Sequence, residues 1–291
     1  MAAWVDIVQN TVDGLMIGSS YALLALGFTL IFGVMRRLNL AYGPAIMLGV
    51  TAGAFLHARY GAPVWVVVLA SVAAAVIVGL YVERLCFAAL GPRAATASMV
   101  SSFAIWMQLE EAATFLLPRH TNAYPALIDA APLTVGPLFA RVEHLAMAAV
   151  AIIVAIALHF GLYRTRAGLA LRASIDHPVS ARLVGIDLRS VSLAAFALAS
   201  LIGGMTGVLI AAAETQVTPM LGMWATMKGL VAMMLGGLGS LRGALAGGLL
   251  LGMVEAHGQW YFGPEIRELL AYLLLFGVIV IRPGGLFGAR T

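Results

Sequence analysis

A few charged side chains lie inside otherwise apolar runs of this sequence, where they could take part in chemistry. Lys228 lies in GMWATMKGLVAMMLGG, Glu255 in LLGMVEAHG, Glu214 at AAAETQ, and Glu110 and Glu111 in IWMQLEEAATF. Carboxylates in such positions could relay protons, and a lysine could contact a transported solute. The alternative is that Lys228 pairs with one of these glutamates and fixes helix packing, since buried charges usually face a partner. The sequence leaves both interpretations open.

Motifs for catalysis and for metal or nucleotide binding are absent from the sequence. It contains no GxxxxGK[ST] loop, no HExxH or paired-cysteine pattern, and no GxSxG nucleophile elbow. Cys86 is the single cysteine, and the 6 histidines are spread between His57 and His257. We therefore expect no enzyme activity, no cofactor and no metal site in this chain.

The composition indicates an integral membrane protein. Hydrophobic residues make up 62% of the 291 residues and charged residues 10%, and the mean hydropathy is +0.98. A soluble domain carries about 25% charged residues because its surface faces water. All but one of the 17 basic residues are arginines, scattered between apolar runs. This scatter is typical of loops anchored at a membrane, and it argues against a nucleic-acid partner.

Apolar segments of spanning length follow one another along the chain, at about 20 residues for each bilayer-crossing helix. The candidate spans are 11–34, 41–57, 63–82, 97–117, 143–163, 191–212, 223–241, 243–262 and 265–281. Gly43 and Pro44 near the start of the second segment predict a broken or re-entrant beginning there. We therefore expect an all-α polytopic fold with about eight to ten transmembrane helices. The first ten residues lack a basic region, so we expect no cleavable signal peptide.

Arginines concentrate in alternate loops, which predicts the orientation of the chain. The loop arginines are Arg36, Arg37, Arg84, Arg93, Arg242, Arg282 and Arg290, together with those of segment 164–190. The positive-inside rule then places these loops and the C-terminus in the cytoplasm. The exceptions are Arg59, Arg119, Arg141 and Arg267.

Small residues recur at intervals of four on several predicted helices. They are Gly14, Gly18 and Ala22, then Gly203 and Gly207, Gly243 and Gly247, and Gly248 and Gly252. Small residues let helix backbones approach closely in lipid, so these faces predict tight helix–helix packing. Some of them could instead expose backbone to a translocation path.

The polar segment 164–190 carries clear helix start and stop signals. Pro178 suits the first residue of a short helix capped by Asp176 or His177, and Gly185 suits its left-handed end. Asp187 then suits the N-cap of a long helix that enters the membrane. A short, capped, basic helix joined to a membrane helix is suited to docking on another protein and transmitting its movement. A solvated loop is the alternative.

Four stretches of the chain resemble one known family. GLALRASIDHPVSARLVGI resembles the cytoplasmic segment of the permease subunits of branched-chain amino acid ABC importers. The opening GLMIGSSYALLALGFTLIFGVMRRLNLAYG, the run KGLVAMMLGGLGSLRGALAGGLLLG and the ending IRPGGLFG are similar to the same family. The resemblance covers nearly the whole chain, which we expect to be one permease domain over residues 1–291.

The resemblance implies a multi-subunit importer in the bacterial inner membrane. Its partners would be a second permease subunit, two cytoplasmic ATP-binding subunits that hydrolyse ATP, a periplasmic solute-binding protein and the lipid bilayer. Segment 164–190 would be the element that couples the permease to the ATPase. Its coupling residues would be Arg172, Asp176, Pro178, Ala181, Arg182 and Gly185.

The expected cargo is an amino acid, branched-chain or otherwise apolar, moved by alternating access. Urea, short amides and other small amino acid-like solutes are alternatives, because relatives of this family carry them. The usual Asn-x-Ala-His-Gly-acid stretch of the family here reads Asn39-Leu-Ala-Tyr42-Gly-Pro44, which loosens the substrate assignment more than the fold. The candidate translocation-path residues are Ser19, Ser20, Tyr21, Asn39, Tyr42 and Lys228. An ion-coupled secondary transporter and a scaffold subunit are rival hypotheses.

Overall fold

The computed structural model describes residues 2–90, 95–117, 122–127, 132–135 and 138–288, which are mostly α-helical. The helices are α1 (Ala2–Met35), α2 (Tyr42–Tyr60), α3 (Val64–Val82), α4 (Ala95–Leu116), α5 (Val142–Arg164), α6 (Arg166–Asp176), α7 (Pro178–Leu183), α8 (Leu188–Glu214), α9 (Met220–Gly236), α10 (Leu241–Phe262) and α11 (Arg267–Ile281). A π-helical turn, Glu83–Ala88, extends α3, and a 3₁₀ turn, Pro264–Ile266, precedes α11. Two short antiparallel pairs join β1 (Asn122–Ala123) to β4 (Gln216–Val217) and β2 (Leu133–Val135) to β3 (Leu138–Ala140). The all-α class is confirmed.

Every predicted span corresponds to a helix, but not every helix is apolar and long enough to cross a membrane alone. Within the described residues, four segments are, namely Trp4–Met35, Val64–Ala88, Val142–Arg164 and Leu188–Glu214. Helices α9 and α10 make a fifth if their pair, bent by 117°, counts as one span. The total of eight to ten crossings and their orientation stay predictions. Arg93, Arg119 and Arg290 lie outside the described residues.

Helix α1 packs antiparallel to α10 along the predicted face of small residues. A Cβ placed on Gly252 would lie 2.3 Å from the Cα of Gly18, and one on Gly248 would lie 2.4 Å from the Cα of Ala22. No side chain fits in either space, so the two backbones touch. The prediction that these residues serve close helix packing is confirmed.

The other predicted small-residue faces also lie at helix contacts. A Cβ on Gly207 would lie 2.4 Å from Ile46 on α2, so α8 packs closely there. A Cβ on Gly247 would lie 2.2 Å from the carbonyl oxygen of Ala232, where α10 folds back against α9. The sharp bend between α9 and α10 thus depends on glycines.

Helix α2 begins inside the bundle, after a buried non-helical segment that contains Arg37 and Asn39. Pro44 lies in its first turn, where a missing backbone N–H costs no hydrogen bond. A Cβ on Gly43 would lie 2.2 Å from the carbonyl oxygen of Gly222 on α9. Helix α2 runs unbroken through Gly43 and Pro44, and the non-helical stretch lies before Tyr42. Gly43 lets the start of α2 lie against α9, and a re-entrant start stays a prediction.

Helix α7 begins and ends, and helix α8 begins, at the predicted residues of segment 164–190. Pro178 is the first residue of α7, with His177 at its N-cap, and Gly185 has a φ of 87° just after the helix. Asp187 caps α8, accepting hydrogen bonds from the backbone N–H groups of Arg189 (3.0 Å) and Ser190 (3.3 Å). The Ser190 hydroxyl and these N–H groups lower the pKa of the Asp187 carboxyl.

The structure adds α6, a helix that we did not predict as a separate element. Thr165 caps it, because its Oγ1 accepts a hydrogen bond from the backbone N–H of Gly168 at 3.0 Å. Gly168 itself packs against α5, where a Cβ would lie 2.2 Å from the carbonyl oxygen of Gly161. The capping threonine was a signal available in the sequence.

Candidate functional site: a buried ion-pair cluster and an exposed helical segment

Glu255 on α10 is the centre of a cluster of four charged side chains and one tyrosine, contributed by four helices. Its Oε1 lies 2.7 Å from Lys228 Nζ on α9, and its Oε2 accepts hydrogen bonds from Tyr21 Oη on α1 and Arg267 Nε on α11, both at 2.8 Å. Arg267 also donates to Tyr21 Oη, and Lys228 Nζ lies 2.8 Å from Glu268 Oε1. We call these five residues the Glu255 cluster.

The charges of the Glu255 cluster balance. Two cations, Lys228 and Arg267, face two anions, Glu255 and Glu268, and Lys228 and Glu255 are each only 1% exposed. Burial of a charge is tolerated only with a partner in good geometry, and each of these charges has one. The cluster therefore ties α9, α10 and α11 to α1.

The interpretation that Lys228 pairs with an intramembrane glutamate is confirmed for Glu255. Glu110 is elsewhere, on α4, where it accepts a hydrogen bond from Trp106 Nε1 at 3.1 Å. Arg267 appeared in the sequence only as an exception to the charge bias, and Glu268 was not singled out. Their spacing from Glu255 gave no signal, because a turn between α10 and α11 decides how close they come.

The six predicted path residues do not form one site. Tyr21 and Lys228 lie together in the Glu255 cluster, whereas Ser19 and Ser20 donate hydrogen bonds to the carbonyl oxygens of Met16 and Ile17 on their own helix. Asn39 Oδ1 accepts from the backbone N–H of Ala41 at 3.1 Å. Such local bonds satisfy the side chains without a ligand. The role of these residues in a path stays a prediction.

Tyr42, one of the two residues that depart from the pattern quoted above, is a packing residue. Its hydroxyl donates a hydrogen bond to the carbonyl oxygen of Ala199 at 2.9 Å, and its ring packs edge-on against Phe28 with 4.7 Å between centroids. It fills the space beside Gly27 on α1 and Gly203 on α8. The tyrosine therefore joins α2 to both neighbouring helices.

The predicted coupling residues divide into inward and outward groups. The Arg172 guanidinium lies 4.6 Å from the centre of the Tyr163 ring and faces α5, and Ala181 is buried. The exposed members are Asp176, Pro178, Arg182 and Gly185. Ala181 anchors α7, since its carbonyl oxygen also accepts a hydrogen bond from the N–H of Ile186 at 3.0 Å.

Helix α7 presents apolar side chains outward. Val179, Leu183 and Val184 are 74%, 83% and 76% exposed, at the end of the bundle where α8 begins. These three aliphatic side chains, two on α7 and one at its C-cap, form an exposed apolar patch, which is suited to burial against another protein. Arg182, beside Leu183 in the sequence, and Arg189, in the first turn of α8, are also exposed.

Comparison with known proteins gives the following similarities. Residues 10–279 match the family described as branched-chain amino acid transport system / permease component. The chain is 29% identical over 293 residues to the high-affinity branched-chain amino acid transport system permease protein BraD of Pseudomonas aeruginosa, covering 97% of this chain and 95% of BraD. It is 27% identical over 304 residues to the corresponding LivH of Escherichia coli K12, with the same coverage. A probable LivH of Methanocaldococcus jannaschii is 30% identical over 146 residues, 48% of this chain and 46% of that protein.

Proposed function

Because this chain belongs to the family of branched-chain amino acid transport permease components, we propose that it is the transmembrane subunit of an ATP-driven importer, with no catalytic activity of its own. The cargo is an apolar amino acid, moved by alternating access. One permease domain spans residues 1–291, and segment 164–190 couples it to an ATPase. The partners are a second permease, two ATP-binding subunits and a periplasmic solute-binding protein in the bacterial inner membrane, with the C-terminus of this chain in the cytoplasm.

The exposed apolar patch on α7 is the observation that carries this proposal. Isolated aliphatic side chains on a surface need no explanation, but three on α7 and its C-cap, beside exposed Arg182, form a surface suited to a protein partner. Burial of a valine or leucine side chain contributes about 1.5–3 kcal/mol each. A groove on an ATPase subunit would supply that burial.

The connection from α7 to the bundle supports transmission of movement. Only four residues separate α7 from α8, and Asp187 fixes the first turn of α8. One turn further on, Ser192 Oγ donates a hydrogen bond to Oε1 of the buried Glu83 at 2.9 Å. The ring of Phe196 packs on that of Phe87, with 5.1 Å between the ring centroids. A displacement of α7 would therefore reach the π-helical turn after α3 through the first three turns of α8.

The six path residues enter the proposal because they are polar side chains buried in an otherwise apolar bundle. Alanine at Asn39, Tyr42 or Lys228 should raise the KM for uptake or lower its maximal rate at normal expression. Uptake kinetics equal to those of the parent protein for all three variants would refute this path.

Uptake into proteoliposomes tests the function and its cargo together. The chain is reconstituted with its second permease, ATPase subunits and binding protein, and labelled leucine is compared with labelled urea and acetamide. We expect leucine accumulation that requires both ATP and the binding protein. Uptake that follows an ion gradient and ignores ATP would refute the importer, while ATP-dependent uptake of urea alone would refute the amino acid cargo.

Leu183→Asp tests the coupling surface in the same vesicles. A carboxylate in the patch cannot be buried without a partner, so stimulation of ATP hydrolysis by cargo-loaded binding protein should fall at least about tenfold. The matched control is Leu133→Asp, which changes an exposed leucine of β2 away from α7. Arg182→Ala and Gly185→Ala should likewise uncouple ATP hydrolysis from uptake. Normal stimulation in Leu183→Asp would contradict docking through α7.

A further inference from the structure

A cavity of about 530 Å³ lies between α6 and the helix bundle. Helix α1, helix α5, helix α6 and the turn between α9 and α10 form its walls. We call it the α6 cavity. It contains none of the six predicted path residues, so it is separate from the Glu255 cluster and from the proposed path.

Hydrogen-bond donors of the α6 cavity lack partners. Thr29 Oγ1 on α1 is buried with no hydrogen-bond partner in the described structure, and Thr29 is only 2% exposed. Arg172 Nε on α6 is likewise buried and unpartnered. Arg242 and Ser240, from the start of α10, line the same cavity. Buried polar groups without partners are rare and costly, so this pair points to an acceptor that is bound from outside the chain.

The polar lining fits an oxyanion. Guanidinium and hydroxyl groups together donate to several oxygens of one anion, and arginine matches the geometry of phosphate. The charged side chains that line the cavity are Arg172, Arg242 and Asp176, a surplus of one positive charge. Asp176 is exposed at the rim, whereas Arg172 reaches inward over the Tyr163 ring. The net field in the cavity therefore favours an anion.

The rest of the lining is apolar and fits a hydrocarbon chain beside the anion. Leu26 and Leu30 of α1, Leu158 and Leu162 of α5, and Ile175 of α6 form this part of the wall. The outer side of α5 next to the cavity carries exposed apolar residues, such as Phe160, that suit contact with lipid. Basic pockets between membrane helices commonly take lipid headgroups.

We propose that the α6 cavity binds a phosphate-bearing anion, with an anionic phospholipid as its source. The phosphate accepts hydrogen bonds from Thr29 and Arg172 and pairs with Arg242. One acyl chain lies against the leucines of α1 and α5. A ligand in this position connects α6 to α1 and α10, and so it stiffens segment 164–190 against the bundle.

Binding to the purified chain in neutral detergent tests this proposal without any transport measurement. Short-chain phosphatidylglycerol is titrated, and the shift in thermal unfolding temperature and the mass of the intact complex are recorded. Phosphatidylcholine of equal chain length, glycerol 3-phosphate and inorganic phosphate form the other arms. We expect saturable binding of phosphatidylglycerol in preference to phosphatidylcholine.

The variants are Thr29→Val, Arg172→Gln and Arg242→Gln, with Thr114→Val and Arg282→Gln as matched controls outside the cavity. Each cavity variant should weaken binding about tenfold, since each removes one hydrogen bond or ion pair to a charged ligand. Thr29→Val should also leave the lipid-free protein as stable as the parent or more so, because Thr29 Oγ1 has no partner to lose.

The binding results distinguish a lipid from a soluble phosphate ester, and they also show whether the α6 cavity is the binding site. Binding of phosphatidylglycerol but not of glycerol 3-phosphate supports the lipid source, whereas equal binding of both supports the same site with a soluble phosphate ester. Binding that is unchanged in Thr29→Val and Arg172→Gln, or equal for phosphatidylcholine, overturns the proposal. Failure of the importer proposal would leave all of these outcomes unaffected.

Discussion

Replacement of Glu255 by glutamine should destabilise the bundle more than any other single change in the Glu255 cluster. The side chain accepts from three donors, Tyr21 Oη, Lys228 Nζ and Arg267 Nε, at 2.7–2.8 Å. Glutamine keeps the size of the side chain but removes its charge. The cluster then holds two cations and one anion, Glu268, and Lys228 lies buried beside a neutral amide.

The expected magnitude follows from the distances. At 2.7 Å and an effective dielectric constant of about 20, the gross attraction between Lys228 and Glu255 is about 6 kcal/mol. Desolvation offsets part of this, and removing one partner of a buried pair costs about 3–5 kcal/mol. Lys228→Met removes the opposite charge, so the double variant restores balance between Arg267 and Glu268. The loss of unfolding free energy in the double variant should be smaller, by about 2 kcal/mol, than the sum of the losses in the two single variants.

Unfolding in mixed micelles of neutral detergent and dodecyl sulfate measures these free energies. Tryptophan fluorescence is a suitable probe, because Trp224 packs edge-on against Tyr21 with 5.6 Å between centroids. Glu111→Gln, on the exposed side of α4, is the matched control and should change stability by less than about 0.5 kcal/mol. Additive costs in the double variant, or a loss in Glu255→Gln no larger than in the control, would refute the assigned pairing.

Three further predictions concern packing and capping. Gly252→Ala should lower the free energy of unfolding by about 1–3 kcal/mol and reduce the yield of monodisperse protein in size-exclusion chromatography, because the added Cβ meets the backbone of α1. Gly277→Ala is the control and should be neutral or stabilising, because open space surrounds Gly277. Equal yields of the two variants would contradict the α1–α10 contact. Tyr42→Phe should cost about 1 kcal/mol in the same unfolding assay by removing the bond to the Ala199 carbonyl, and no loss would argue against that bond. Asp187→Ala should speed amide hydrogen exchange in the first turn of α8 at neutral pH. The pKa of Asp187 is lowered in the folded protein, so the cap is fully present above the ordinary aspartate pKa. The cap is lost as the pH falls through the lowered pKa. Below that pH, the parent protein and Asp187→Ala should exchange their amide hydrogens at the same rate.

The sequence determined the helices and their close contacts because both follow from local patterns. Apolar runs of spanning length predicted every long helix, and glycines four residues apart predicted the face that joins α1 to α10. Pro178, Gly185 and Asp187 predicted where α7 and α8 begin and end, since caps and stops act within a few residues.

Only the tertiary structure decided which charged groups meet. Lys228 had several candidate glutamates in the sequence, and the bend between α9 and α10 selected Glu255, while the turn before α11 brought Arg267 to the same carboxylate. Arg172 was predicted to serve the docking surface, yet α6 turns it toward Tyr163 and the cavity beside Thr29. The physical reason is that helix formation depends on neighbours in sequence, whereas ion pairs and cavities depend on the angles at which distant helices cross.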